Sequence, residues 1–216
     1  TDFIRCSDAD YVIMSDCDVV TSLDYNKLYD AHIKSGADIT AVYAKSNLDL
    51  DAAAHTNVFG INNEGRINNV LIDPEISGEC NISLNTYIIS KPLLMSMITD
   101  AAAKGIYSFA KSILQAQCGR YKIMAYKHEG YFSKITSIKS YYDANMALLD
   151  TESRKKLFPD NAPVYTKIRD NPPAKFAIGA KVKNSLIADG CIIEGTVENS
   201  VLFRGAKVAK GAVVKD

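Results

Sequence analysis

The chain has 216 residues, 47% hydrophobic and 23% charged, with 25 basic and 25 acidic side chains and a formal net charge of zero. That balance excludes a disordered or collagen-like polymer and a strongly polycationic nucleic-acid binder, and the length allows one full domain plus a smaller one. No apolar run approaches the roughly 18 residues a membrane span needs, so neither membrane nor nucleic acid is an expected partner.

The opening TDFIRCSDAD has no initiator Met and stands close to the first strand, so it reads as a piece of a longer protein. Five cysteines, Cys6, Cys17, Cys80, Cys118 and Cys191, are odd in number, scattered and without a C-x-x-C pair. They predict inert or buried thiols in a reducing cytoplasm rather than a disulfide framework or zinc site. Charge is unevenly spread: residues 1–153 carry 13 basic and 19 acidic side chains, residues 154–216 carry 12 and 6. Such asymmetry predicts two units with different partners, the basic one suited to an anionic metabolite or an acidic neighbouring subunit.

In chain order, YVIM at 11–14 predicts a short, buried strand of the parallel-sheet type, ending abruptly in Asp16 and Asp18. Such an end either delivers carboxylates to a metal or substrate or simply meets water. DYNKLYDAHIKSG predicts a helix with Leu28, Ala31 and the Ile33 region inward and Gly36 as its stop, and DITAVYAK the next strand. Together they make a β-α-β unit, hence a parallel sheet with a right-handed crossover. NVFGINNEGRINNVL predicts a hairpin, KPLLMSMITDAAAKG to YSFAKSILQAQCG helical material, and YKIMAYKHEGYFSKI a second hairpin around His128-Glu129-Gly130. SYYDANMALLD predicts an amphipathic helix, with Tyr141 and Tyr142 packing it on the sheet. His32, His55 and His128 are isolated and lack ligand spacing.

RDNPPAK at 169–175 is a boundary, because paired prolines stiffen the chain and forbid a helix across them. Beyond it, Gly-Ala-Lys-Val occurs at 179–182 and 205–208, Gly-Ala-Val-Val at 211–214, and Leu202, Val208 and Val214 fall on a strict period of six. Short strands with small corner residues at that period predict a hexapeptide β-helix, its last coil unfinished at Asp216. The expected domains are an α/β unit over 1–153, a linker over 154–176, and the start of the β-helix over 177–216.

An α/β domain, a proline hinge and a hexapeptide β-helix together resemble the sugar-nucleotide pyrophosphorylases, in particular glucose-1-phosphate adenylyltransferase (ADP-glucose pyrophosphorylase). The resemblance rests on VIMSDCDVVTSLDYNKL, VFGINNEGRINNVLIDP, LNTYIISKPLL, GYFSKITSIKSYYDANMALL, PVYTKIRDNPPAKF and NSLIADGCIIEGTVENSVLF. It implies a Rossmann-like sugar nucleotidyltransferase domain with a mixed, mostly parallel sheet, followed by a left-handed β-helix. The pattern is similar to the non-catalytic, GlgD-type subunit that accompanies a catalytic partner in some bacteria. The family's Gly-rich nucleotide loop would lie upstream of Thr1.

Nucleotidyl transfer brings anionic groups together, so active members need Mg²⁺ held by carboxylates and basic side chains around the phosphates. Their Gly-Asp-His segment, whose Asp binds metal, matches Ser15, Asp16 and Cys17; Asp18 reads as structural. Their second metal Asp, in Trp-Arg-Asp-Val-Gly-Thr, matches Lys134 within Phe132–Ser137. An ammonium has only donors and does not ligate Mg²⁺. Their Glu-Lys-Pro for the sugar phosphate matches Ile72, Asp73 and Pro74, which sets a carboxylate where a dianion should sit. The resemblance thus implies an impaired site at which Asp16 is the sole metal position and no bound cofactor is expected. The implied role is a regulatory subunit beside a catalytic homologue, with Lys167, Arg169 and Lys175 as candidates for an anionic effector, although Lys and Arg around the hinge, Lys181 included, also read as a solvated face. An active pyrophosphorylase and a ligand-sensing module without turnover are the alternatives.

Overall fold

A computed structural model of the chain describes residues 2–48, 55–105 and 108–216, and these form two compact units, Thr1–Glu129 and Gly130–Asp216. The first unit contains α1 (Asp2–Cys6), β1 (Tyr11–Ser15), β2 (Val19–Thr21), α2 (Tyr25–Ser35) and β3 (Ile39–Leu48). β4 (Asn57–Ile61), β5 (Ile67–Ile72), β6 (Gly78–Ser90), α3 (Lys91–Ala103), a π-helical stretch at Ala110–Gln115 and β7 (Ile123–Lys127) follow.

The main sheet runs β5-β4-β6-β3-β7, with β1 pairing the C-terminal half of β6. It is mixed, as expected, but the balance of directions differs. Within this sheet only β3 and β7 pair in parallel among the described strands; β6 runs antiparallel to β1, β3 and β4. β1 and β3 therefore point the same way, as a β-α-β unit requires, yet β6 lies between them. Its run from Ile82 to Ile89 is buried throughout, so it takes the central place that no local pattern assigns. Instead of the expected second hairpin, β7 takes the edge beside β3, while the β4–β5 hairpin forms as read. Its turn is tied by Asn62, whose Oδ1 accepts from the N–H groups of Glu64 and Arg66 at 3.0 and 2.9 Å.

α2 begins where Asp24 accepts from the N–H groups of Asn26 and Lys27 and ends at Gly36, whose φ of 57° is the left-handed cap expected. Its inner face is Leu28, Ala31 and His32 rather than the Ile33 region. At about 100° per residue His32 lies over Leu28, whereas Ile33 turns outward and is 44% exposed. The core joins Ile39, Phe59, Ile89, Leu94, Leu114 and Ile123 from sheet and helices.

The second unit holds β8 (Phe132–Lys134), α4 (Ile138–Ala147) and α5 (Thr151–Leu157), then an exposed stretch over 163–174 without helix or strand. Ser137 and Ser140 close a capping box at the start of α4. The β-helix follows as β9 (Lys175–Phe176), β10 (Lys181–Lys183), β11 (Leu186–Ile187), β12 (Ile192–Ile193), β13 (Thr196–Glu198), β14 (Val201–Leu202), β15 (Lys207–Val208) and β16 (Val213–Lys215). All its pairings are parallel and form three stacks: β9-β12-β15, β10-β13-β16 and β11-β14. Leu202, Val208 and Val214 come from three different faces and pack into one core with Cys191, Ile193 and Val197, which is what a period of six builds. An earlier coil is tighter, with Lys181 opposite Thr196 only 15 residues on. One face carries two ladders: Glu198 between Lys183 and Lys215 at 3.3 and 3.5 Å, and Asn199 between Asn184 and Asp216 at 2.9 and 3.5 Å. Tyr141 and Tyr142 are 50% and 46% exposed and line a groove with Val201 and Leu202 of β14 and with Phe203.

Candidate functional site

β1 is an apolar strand laid on the core through Val12 and Met14, and its end lifts Asp16 to the rim. The ladder continues one residue past the strand, because the Asp16 N–H donates to the Asn85 carbonyl at 3.2 Å. Ser15 Oγ meets Thr86 Oγ1 at 3.0 Å, which fixes the register of β1 against β6. Asp16 then lines a cavity of about 360 Å³ with Met14, Ser15, Asn57, Asn85, Tyr87 and the stretch Ser108–Ala110.

The opposite wall is a bulge in β6. Ala41 faces Tyr87 and Tyr43 faces Ser83, so three residues of β6 stand against Val42 alone. Asn85 takes up the excess with φ of 48°, a conformation that Asn adopts more readily than other non-glycine residues. Ser83 holds the bulge from inside: its Oγ accepts from the Asn85 N–H at 3.0 Å and lies 3.2 Å from the Tyr87 hydroxyl. Asn85 Oδ1 in turn accepts from Tyr87 OH at 3.3 Å and from Asn57 Nδ2 at 3.4 Å.

Burial pushes the Tyr87 phenol up to about 12; the Ser83 hydrogen bond works against this, and the charges of Asp16 and Asp18 add to it. Tyr87 is therefore a neutral donor at any physiological pH. Its ring rests on Phe109 at 5.2 Å between centroids, which sets the apolar end of the cavity.

Among the described residues, Asp16 is the only charged side chain in this lining. Asp18 turns Oδ1 out of solvent and stands outside it. Among the described residues no group of three His, Cys, Asp or Glu side chains is placed to hold a metal ion. Mg²⁺ commonly takes one or two carboxylates and fills its shell with water and phosphate oxygens. Asp16 supplies one such carboxylate, among the neutral amides and hydroxyls of the described lining.

The other sequence-derived candidates lie elsewhere. Ile72 ends β5 and packs on the core, and Asp73 follows it, exposed, with φ of 47°. Neither lines the cavity. Lys134 ends β8 in the second unit, with its Nζ out of solvent. Lys167 and Arg169 are exposed in the irregular stretch, and Lys175 is exposed on β9. His55 is exposed, whereas His32 and His128 are buried and held by Thr40 and Thr21 at 2.8 and 2.9 Å. Of the cysteines, Cys191 is buried, Cys80 and Cys118 are half-buried, and Cys6 and Cys17 are exposed. Sequence reasoning missed Asn57, Asn85 and Tyr87. The one local signal was an Asn breaking the strand-like run Ser83-Leu84-Asn85-Thr86-Tyr87.

The described residues form a mixed α/β unit with a carboxylate at a strand end, and a unit that holds parallel hexapeptide coils. Residues 172–216 match the family model described as GlmU-like, C-terminal hexapeptide. Homologues named glucose-1-phosphate adenylyltransferase cover the chain along its whole length. The protein of that name from Geobacillus stearothermophilus is 32% identical over 216 residues, 99% of this chain and 55% of the relative. Another from Clostridium perfringens (strain SM101 / Type A) is 32% identical over 219 residues, 100% of this chain and 56% of the relative. The glycogen biosynthesis protein GlgD of Bacillus subtilis (strain 168) is 28% identical over 214 residues, 99% of this chain and 52% of the relative. The chain thus spans about half the length of the curated relatives it matches. No helix among the described residues is long and apolar enough to cross a membrane.

Proposed function

We propose that the chain is part of a non-catalytic or weakly active regulatory subunit of glucose-1-phosphate adenylyltransferase, which converts ATP and glucose 1-phosphate to ADP-glucose and pyrophosphate in glycogen biosynthesis. The observation that carries this reading is Asp16: among the described residues, those lining the cavity beside the strand end include one carboxylate and no cationic side chain. Transfer between two polyanions needs positive charge at the reacting phosphates, from a metal or from basic groups. Asp73 and Lys134, which the family resemblance aligns with a phosphate-binding Lys and a metal-binding Asp, have charges opposite to those the reaction uses.

The protein acts in the cytoplasm by assembling with a catalytic homologue and shifting that partner's rate or its response to metabolites. The similarity to GlgD supports this role. Lys167, Arg169 and Lys175 remain the candidates for binding an anionic effector. The test is ADP-glucose formation by the full-length protein with Mg²⁺, alone and mixed with a catalytic homologue, beside its Lys134→Asp variant. Alone, the wild-type protein is expected to run about 100-fold or more below the homologue, since each 1.36 kcal/mol of lost transition-state stabilisation is a factor of ten. The mixture should differ from the homologue alone, and Lys134→Asp should recover part of the lost rate. Robust turnover by the wild-type protein alone overturns the reading.

A further inference from the structure

Behind Phe109 lies a second cavity, of about 310 Å³, between α3 and the stretch that carries the π-helical residues Ala110–Gln115. Leu94, Met97, Ile98 and Ala101 line it from α3 at the spacing of one helical face, and Phe109 and Ile113 line the opposite wall. Among the described residues its lining holds no charged side chain, and Ser108 Oγ already accepts from the Lys111 N–H at 3.2 Å. Ser108 and Phe109 also line the Asp16 cavity, so they stand between the two.

Both walls change character in the same direction. On α3, Asp100 and Lys104 come three residues after Met97 and Ala101; on the other wall Gln117 and Arg120 follow Ile113. With Met97, Ala101 and Ile113 shared, these side chains enclose a recess of about 30 Å³, which admits a carboxylate but not a ring. Arg120 is set over the Tyr121 ring at 5.3 Å. No ion pair among the described residues takes Lys104 or Arg120. Two cations against the one carboxylate of Asp100 leave the recess net positive by a single charge.

A sugar or nucleotide would find almost no polar partner in the cavity, and burying its hydroxyls there would cost more than it returns. A cationic amphiphile would meet Lys104 and Arg120. A neutral alkyl chain would fill the cavity and leave the basic pair unused. An apolar tail ending in a single negative charge satisfies both parts. We propose that this cavity and recess bind a medium-chain monocarboxylate, its tail packed between α3 and Phe109 and its head group held by Lys104 and Arg120. The site lies outside the Asp16 cavity and goes beyond the regulatory reading, on which it does not depend.

The experiment is calorimetric titration of the full-length protein with octanoate, octanol and octylamine, each as the monomer in solution. Octanoate should bind, octanol about tenfold more weakly for want of the charge-assisted contacts, and octylamine more weakly still. The exposed pair Lys104→Gln and Arg120→Gln, changed together, should bring octanoate to the level of octanol and leave octanol within about twofold. Ala101→Phe should fill the cavity and weaken both by about tenfold or more, with a thermal melt to check the fold. The proposal is overturned if octanoate does not bind, if octanol binds as well as octanoate, or if the double variant keeps the wild-type preference. Binding to phosphatidylglycerol vesicles without binding to octanoate would assign the basic pair to a lipid surface and overturn it too. None of these readouts involves Asp16 or a catalytic homologue, so the regulatory reading and this site fail separately.

Discussion

Tyr87 is 6% exposed and places its hydroxyl between Ser83 and Asn85, so its proton is held by desolvation more than by any single partner. With 12 tyrosines in the chain, its titration is read as the difference between wild type and Tyr87→Phe. The missing step should fall near 12, about two units above the ordinary value of 10. A missing step near 10 would mean that water reaches the phenol and that the bulge is open. Gly195 makes a second argument at this scale. A Cβ there would fall against the carbonyl oxygens of Ala212 and Ala209 and the side chain of Val208. The neighbouring coil's backbone has no room to yield, so Gly195→Ala should cost about 1–3 kcal/mol, read as a lower denaturant midpoint. An unchanged midpoint would show that the coils are looser than their parallel register implies.

At the scale of the element, α2 is seated by a buried histidine. His32 donates or accepts through Nδ1 at 2.8 Å to Thr40, and its ring meets Tyr11 edge-on at 5.4 Å. Burial lowers its pKa from the ordinary 6.5, with the nearby Asp38 charge opposing. Below pH 6.5 the unfolded chain therefore binds a proton that the folded chain resists. The contribution is complete above that value and is lost as pH falls through the lowered one. Urea midpoints at about pH 7.5 and about pH 5.5 should drop more steeply for wild type than for His32→Gln. Equal drops would place the acid sensitivity elsewhere.

At the scale of the whole molecule, the irregular stretch over 163–174 is the longest run without regular structure among the described residues, and it carries Lys167 and Arg169. An exposed segment with no ladder hydrogen bonds to lose opens at almost no cost, so trypsin should cut there first. Mass spectrometry should find early fragments ending at Lys167 or Arg169, with residues 175–216 intact. First cuts within the coils would contradict the expected boundary between domain, linker and β-helix.

How much was legible in advance varies with the range of the interaction. The ends of α2 were, because Asp24 and Gly36 act on the backbone next to them. So was the β-helix, because Leu202, Val208 and Val214 repeat at a spacing set by the coil itself. The β4–β5 hairpin was legible for the same reason, through Asn62 and Gly65. Asp16 was recognisable as the end of an apolar strand. The place of β6 between β1 and β3 was not, nor the parallel pairing of β7, since an apolar strand carries no label for its neighbour. The groups facing Asp16 lie 41, 69 and 71 residues further along, at Asn57, Asn85 and Tyr87. By itself the sequence determined caps, turns, coil period and the carboxylate at the strand end, all of which depend on residues within one turn or one repeat. Only the tertiary structure decided strand order and the neutral walls around that carboxylate, because backbone pairing and a bulge between distant strands bring those side chains together.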